Sequence, residues 1–417
     1  MTIAFNKPSI IGEELQNIGE AVAMGQLSGD GAFTKRCSEV MEGLTGSQKV
    51  LLTHSCTAAL EMSAILAAIE PGDEVVMPSF NFVSGANAVA LRGGVPVFVD
   101  VDPLTCNISP AEVESALTER TRAIIAIHYA GVPAEMDALG EIARQKNLLL
   151  IEDAAQAIGS RYRGKPAGGL GDLATFSFHE TKNVISGEGG AICINNPSMV
   201  DRAEIIREKG TNRSKFLRGQ VDKYTWVDIG SSSLPGEIIS AFLLPQLLAE
   251  REIRTSRLEA VSRYRSAFEE LESRYGIGLP HCPDWSEPNG HMFYLMMRDR
   301  VQRDAFISHM AGHGITTPFH YVPLHSSPAG KRLSRHVGSM DNTNRISDCL
   351  VRLPLYLGIE EEIDQVISRV HQFFECDASG RYLVRLRRPS SSSALSPSGR
   401  SASVGSVCSA RCSTTSA

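Results

Sequence analysis

Between residues 48 and 195 short β-branched runs alternate with helical patterns, and this alternation leaves the chain few folds. Val50 to Thr53, Glu74 to Pro78, Val95 to Val101, Ala123 to His128 and Leu148 to Glu152 read as strands. Ala174 to Phe178 and Gly190 to Ile194 add two more. Cys56 to Ala68, Phe82 to Leu91, Pro110 to Leu117 and Glu135 to Lys146 read as the helices between them. The strands are apolar almost throughout, so both faces of their sheet need cover. The pattern predicts an α/β fold with a largely parallel sheet and helices on both sides. Ligands of such sheets bind beyond the carboxyl ends of the strands.

At 417 residues the chain exceeds one compact core. A large domain is expected over 1–250, a smaller α+β domain over 251–376, and a low-complexity tail over 377–417. Residues 237 to 274 read as helical, and Ile238 to Leu258 is expected to cross between the domains. In the tail Arg385, Arg387 and Arg388 precede Ser390 to Ser393. Such a composition buries no core and is expected to be disordered. A phosphorylated or basic docking tail and a passenger segment both fit it.

The formal net charge of −6 gives no general attraction to nucleic acid or anionic lipid, so a phosphate site must be local. No apolar run approaches the ~20 residues of a membrane span, and Met1 to Pro8 does not read as a secretion signal. The nine cysteines are scattered, odd in number and never spaced C-x-x-C. They argue against a zinc site or a disulfide framework, no metal site is expected, and a reducing cytoplasm fits.

Four segments carry chemistry. Thr53-His54-Ser55-Cys56-Thr57-Ala58 follows a strand and opens a helix, where unpaired N–H groups suit a phosphate; an ordinary cap by Ser55 or Thr57 accounts for it as well. Glu152-Asp153 ends an apolar strand, where a carboxylate needs a cation such as a pyridinium nitrogen; a helix-capping acid is the alternative. Lys182, in Ser177-Phe178-His179-Glu180-Thr181-Lys182-Asn183, lies just past a strand end. A lysine there, its pKa lowered by burial, can form an imine with an aldehyde. Gly187-Glu188-Gly189-Gly190 allows a tight turn and close backbone approach. No GxxxxGK[ST] occurs, which removes a P-loop nucleotidase.

In their order these segments resemble the DegT/DnrJ/EryC1/StrS family of sugar-nucleotide aminotransferases. The likeness covers about residues 3 to 375 and extends through Arg202 to Ser214, Arg218 to Trp226 and Asp228 to Ser232. It implies fold type I of the pyridoxal-phosphate (PLP) transferases, like aspartate aminotransferase, with a mostly parallel seven-stranded sheet. It makes Lys182 the lysine joined to the cofactor. Asp153 would pair with the pyridinium nitrogen, and Gln156 would contact the ring's phenolic oxygen. Cys56, Thr57 and Ser177 would hold the phosphate, and Phe82 would stack on the ring. Gly29 and Asp30 resemble an N-terminal substrate loop. His320, Tyr321 and His325 resemble a segment near the sugar-nucleotide, and His128 and Tyr129 could frame either ligand. Many relatives have Gly-Tyr-Asn-Tyr-Arg where this chain has Gly230-Ser231-Ser232-Ser233-Leu234. Ser232 then stands where an Asn reaches the other subunit's phosphate, and a homodimer is expected.

The implied reaction moves an amino group from L-glutamate to dTDP-4-keto-6-deoxy-D-glucose. Its products are dTDP-4-amino-4,6-dideoxy-D-galactose and 2-oxoglutarate. Another nucleotide-sugar aminotransferase is the first alternative. A PLP-dependent sugar dehydratase ranks lower, because such relatives replace the lysine by histidine. A non-catalytic sugar-nucleotide-binding protein ranks lowest, since binding alone needs no Lys182, Asp153 and Gln156 set.

Overall fold

A computed structural model describes residues 2–378. The strands are β1 (Lys49–Thr53), β2 (Glu74–Pro78), β3 (Val95–Val99), β4 (Thr121–Ile127) and β5 (Leu149–Asp153). They continue with the two-residue β6 (Arg161–Tyr162) and β7 (Lys165–Pro166), then β8 (Leu173–Ser177) and β9 (Gly190–Ile194). The last are β10 (Ser286–Glu287), β11 (Phe293–Met296), β12 (Arg335–His336) and β13 (Leu350–Leu353).

The central sheet has the order β1-β9-β8-β5-β4-β2-β3-β12. Only β9 runs antiparallel to its neighbours, β1 and β8; the other joins are parallel. The seven expected strands are present within two residues of their expected ends. An eighth, β12, is added at the edge beside β3. Arg335-His336 has no apolar alternation to read. An ion pair holds it, Arg335 to Glu74 at the start of β2, 2.6 Å apart.

Successive residues of a strand point to opposite faces, and the core follows that rule. Leu51 packs with Leu60, Ile125, Ile151 and Ile192 in one cluster. Val50 and Leu52 pack with Phe176, Cys193 and Leu244 in another. The continuous apolar strands thus serve two covered faces.

The stretch expected as helix from 237 to 274 is two helices, Glu237–Leu248 and Glu250–Tyr275, meeting at Ala249. Beyond it β11 pairs antiparallel with β13, among helices Arg300–Gly312, Asp341–Cys349 and Ile363–Ala378. The described residues up to Glu375 form one compact unit. From residue 379 the expected tail lies outside the described residues. Among those described, no helix is long and apolar enough to cross a membrane.

Candidate active site

The carboxyl ends of β5 and β8 open into a cavity of about 670 Å³. The helix Cys56–Leu66 begins at its wall. Ser55 caps this helix, its hydroxyl accepting a hydrogen bond from the Ala58 N–H at 3.1 Å. Capping uses the Ser55 side chain and leaves the first turn's other N–H groups directed outward. Cys56, Thr57 and Ser177 line the cavity beside them. The Thr57 and Ser84 hydroxyls are 2.7 Å apart. A Cβ on Gly190 would lie 2.4 Å from the Cys56 nitrogen, so only glycine lets β9 pass this close. Burial pushes the Cys56 thiol up to about 12, so it stays protonated.

The acidic pair at the end of β5 splits between two jobs. Glu152 is completely buried and accepts hydrogen bonds from the backbone N–H groups of Gly168, Leu170 and Gly171. His128 Nε2 adds a fourth at 2.9 Å. The Ala134 N–H donates to His128 Nδ1, so the ring's proton sits on Nε2. Glu152 and His128 therefore brace the loops and do not line the cavity.

Asp153 faces the cavity. It accepts one hydrogen bond, from the Ala155 N–H at 3.2 Å, and burial raises its pKa. Lys182 lines the same space. Its ammonium has no hydrogen-bond or ion-pair partner among the described residues. Burial lowers its pKa and Arg352 lowers it further, while Cys56 and Asp153 pull it back.

Gln156 is clamped at both ends: its oxygen accepts from the Ala130 N–H at 2.7 Å, and its amide nitrogen donates to the Tyr321 hydroxyl at 3.1 Å. His320 joins the Tyr129 hydroxyl through Nδ1 at 3.0 Å, and burial keeps it neutral. Phe82 is 58% exposed on the cavity rim. An exposed phenyl there is not core packing.

The remaining sequence candidates lie elsewhere. Asp30 is paired with Arg207 at 2.7 Å. Gly29 packs so tightly that a Cβ would lie 2.2 Å from the Pro235 carbonyl oxygen. Through Nδ1, His325 meets the Ser79 hydroxyl at 2.7 Å. Ser232 is exposed and forms a backbone bridge with Glu208. None of these four lines the cavity.

Sequence reasoning missed His291, Arg257 and Arg352, which do line it. Arg352 had a signal: it is the one charge in Leu350-Val351-Arg352-Leu353-Pro354-Leu355. His291 had none. Among the described residues no cluster of His, Cys, Asp and Glu could hold a metal.

A lysine amine without a partner, a buried carboxylate lacking a cation and a helix start fitted for phosphate suit an aldehyde, a pyridinium nitrogen and a phosphate ester. The donor set fits pyridoxal phosphate. Fold and site define a PLP-dependent aminotransferase. The chain belongs to the DegT/DnrJ/EryC1/StrS aminotransferase family, whose model matches residues 8–371.

SpsC, a spore coat polysaccharide biosynthesis protein of Bacillus subtilis, is 29% identical over 380 residues, 88% of this chain and 96% of SpsC. The aminotransferase TlmJ of Streptoalloteichus hindustanus superposes with a TM-score of 0.83 at 30% identity, covering 90% of this chain and 100% of TlmJ. The PLP form of Spr1654 from Streptococcus pneumoniae gives 0.82 at 26% identity, covering 90% and 99%.

Proposed function

We propose that the protein transfers an amino group from L-glutamate to dTDP-4-keto-6-deoxy-D-glucose, yielding dTDP-4-amino-4,6-dideoxy-D-galactose and 2-oxoglutarate. This is the reaction of the dTDP-4-amino-4,6-dideoxygalactose transaminase of enterobacterial common antigen synthesis. One observation carries the reading: Lys182, Asp153 and the start of the helix at Cys56 meet in one cavity. The sugar rests on the resemblance over Arg202 to Ser232, and the polysaccharide role of SpsC is in keeping with it.

The site residues take these roles. Lys182 holds the cofactor aldehyde. Bound there, the cofactor supplies an electron sink for the pair left when the donor's α-carbon loses its proton. Asp153 keeps the ring nitrogen protonated, which that sink requires. Cys56, Thr57 and Ser177 hold the phosphate, Gln156 the phenolic oxygen, and Phe82 covers a ring face. Freed Lys182 would move a proton between the donor's α-carbon and the imine carbon on the other side of the nitrogen. Its lowered pKa suits a base that must be neutral when it acts.

His320 and Tyr321 lie where the sugar enters. Gly29, Asp30, His325 and Ser232 would act through a neighbouring subunit or a closed loop, and a cytoplasmic homodimer completes the reading. The test is direct: incubate protein, PLP, glutamate and the keto sugar, then identify the amino sugar by mass and NMR. Lys182→Ala should fold normally and give no product. Turnover in that variant would contradict the mechanism, and a different amino sugar would overturn the substrate alone.

A further inference from the structure

A second cavity, of about 490 Å³, opens where the helix Glu250–Tyr275 ends. Gly276 closes that helix in a left-handed conformation, with φ 66°, and the chain then lines one wall from Ile277 to His281. Tyr294 and Met296 of β11 line it as well, as do Arg345 and Ile346 of the helix Asp341–Cys349. No residue is shared between this cavity and the one that holds Lys182.

Apart from His281, three ionisable charges border the space: Arg265 and Glu272, two turns apart on one face of the long helix, and Arg345. Neither arginine has an acidic partner within ion-pair distance among the described residues. Each nevertheless has an acid one turn away on its own helix, Glu269 for Arg265 and Asp341 for Arg345. Arg265 turns instead to the Pro280 carbonyl on the cavity wall. Burial raises the pKa of the Tyr294 hydroxyl, and the charge of Arg265 opposes that rise. Glu272 accepts the Leu279 N–H at 3.4 Å. The balance is one positive charge, which suits a monoanion.

The rest of the lining is apolar where it need not be. Leu104 stands at the cavity 59% exposed, beside Ile277, Met296 and Ile346. Tyr294 is 3% exposed, and the nearest hydrogen-bond partner of its hydroxyl among the described residues is the Cys106 thiol, 3.9 Å away. A thiol is a weak partner, so this buried hydroxyl is poorly met. An apolar body carrying one negative charge would satisfy the leucine, the hydroxyl and both guanidinium groups together.

We propose that this cavity is a second ligand site, for a small organic monoanion. Arg265 and Arg345 hold its carboxylate, and its apolar body lies against Leu104, Ile277 and Met296. Glu272 limits the charge the site accepts, so dianions bind less well. The site does not depend on the aminotransferase reading, since none of its residues touches the cofactor cavity.

The test titrates 3-phenylpropionate into the PLP-loaded enzyme by ligand-observed NMR. Its amide, which lacks the charge, and acetate, which lacks the apolar body, are the controls. The expected Kd is about 1 mM, the reach of about ten non-hydrogen atoms, with both controls about tenfold weaker. Arg265→Gln and Arg345→Gln should each weaken binding about fivefold, the scale of an exposed charge contact. Glu272→Gln should tighten it about threefold, because it removes the opposing charge. All three side chains are exposed, so the variants should melt as wild type does. Unchanged affinity in both arginine variants would place the binding elsewhere and overturn the proposal. So would an amide that binds as well as the acid, a weaker complex with Glu272→Gln, or the absence of saturable binding up to about 10 mM.

Discussion

Glu152 and Asp153 are neighbours on β5 with opposite duties: Glu152 meets His128 at 2.9 Å away from the cavity, and Asp153 borders the cavity with one hydrogen bond. The pleat of a strand produces this division, since consecutive side chains leave on opposite faces. The two carboxylates are therefore not interchangeable. Asp153→Asn removes the charge proposed to hold the cofactor's ring nitrogen protonated. Its kcat should fall by about 10²–10³, the cost of removing one preorganised electrostatic group, while circular dichroism stays native. Steady-state rates with saturating PLP check it.

The same carboxylate also has a cost for the cofactor-free protein. Burial raises the Asp153 pKa in the folded state. A raised acid binds its proton more tightly when folded, so stability is greatest at low pH. It declines as pH climbs from the unfolded value, about 3.9, through the folded one. Asp153→Asn abolishes that decline. The cofactor-free variant should therefore melt above wild type at pH 7, and the gap should close toward pH 3. Calorimetric scans at both values decide it; a variant less stable at pH 7 contradicts the account.

Glu74 shows the opposite sign. Burial pushes its carboxyl up, but hydrogen bonds from Arg335, Thr118 and Arg120 win and hold it at about 2. Its stabilisation is present above the unfolded value, about 4.3, and is lost as pH falls toward the folded one. The arginine partners are partly exposed, so the contribution is about 2 kcal/mol after solvent screening. Glu74→Gln should lower stability by about that amount at pH 7 and by little at pH 2. Denaturant melts at the two pH values measure the difference. Because Arg335 lies on β12, the variant should also loosen that edge strand in hydrogen exchange.

The sheet was legible because its strands are long, apolar and separated by helical spacing, and β12 was not because two residues carry no period. Site legibility follows the same logic. Cys56, Asp153 and Lys182 sit at helix starts and strand ends, where local pattern predicts direction. His320, Tyr321 and His325 share one irregular segment, and no period foretells that the first two face the cavity while His325 turns to Ser79. His291 is brought in by packing of residues far away in sequence: its Nδ1 meets Asn183 at 2.9 Å. Asp30 was expected at the substrate, and its pairing with Arg207, 177 positions further along, is a long-range contact that no local pattern foretells.

Tyr321 ties the later part of the chain to Gln156. Its hydroxyl accepts the Gln156 amide at 3.1 Å and stops that side chain from turning. Tyr321→Phe keeps the ring beside Phe80 and Phe82 and removes only the acceptor. The expected loss is about 1 kcal/mol, read as a roughly fivefold weaker cofactor affinity in equilibrium dialysis. A change in the melting temperature without any change in cofactor affinity would assign the hydroxyl to the fold instead.

Gly190 packs against the start of the helix proposed to hold the cofactor phosphate. An added methyl would meet backbone atoms, the Cys56 nitrogen at 2.4 Å and the Ser55 carbon at 2.5 Å, and neither is the end of a flexible side chain. The helix Cys56–Leu66 must move away from β9 to admit it. Overpacking of this kind costs about 1–3 kcal/mol, and the displaced N–H groups are those assigned to the phosphate. Gly190→Ala should therefore lose cofactor affinity by more than its melting temperature implies. Gly187→Ala is the control: no heavy atom lies within 4 Å of its Cβ, although its positive φ adds local strain. It should lower stability and leave cofactor affinity near wild type, so equal losses of cofactor in the two variants would remove Gly190 from the proposed phosphate site.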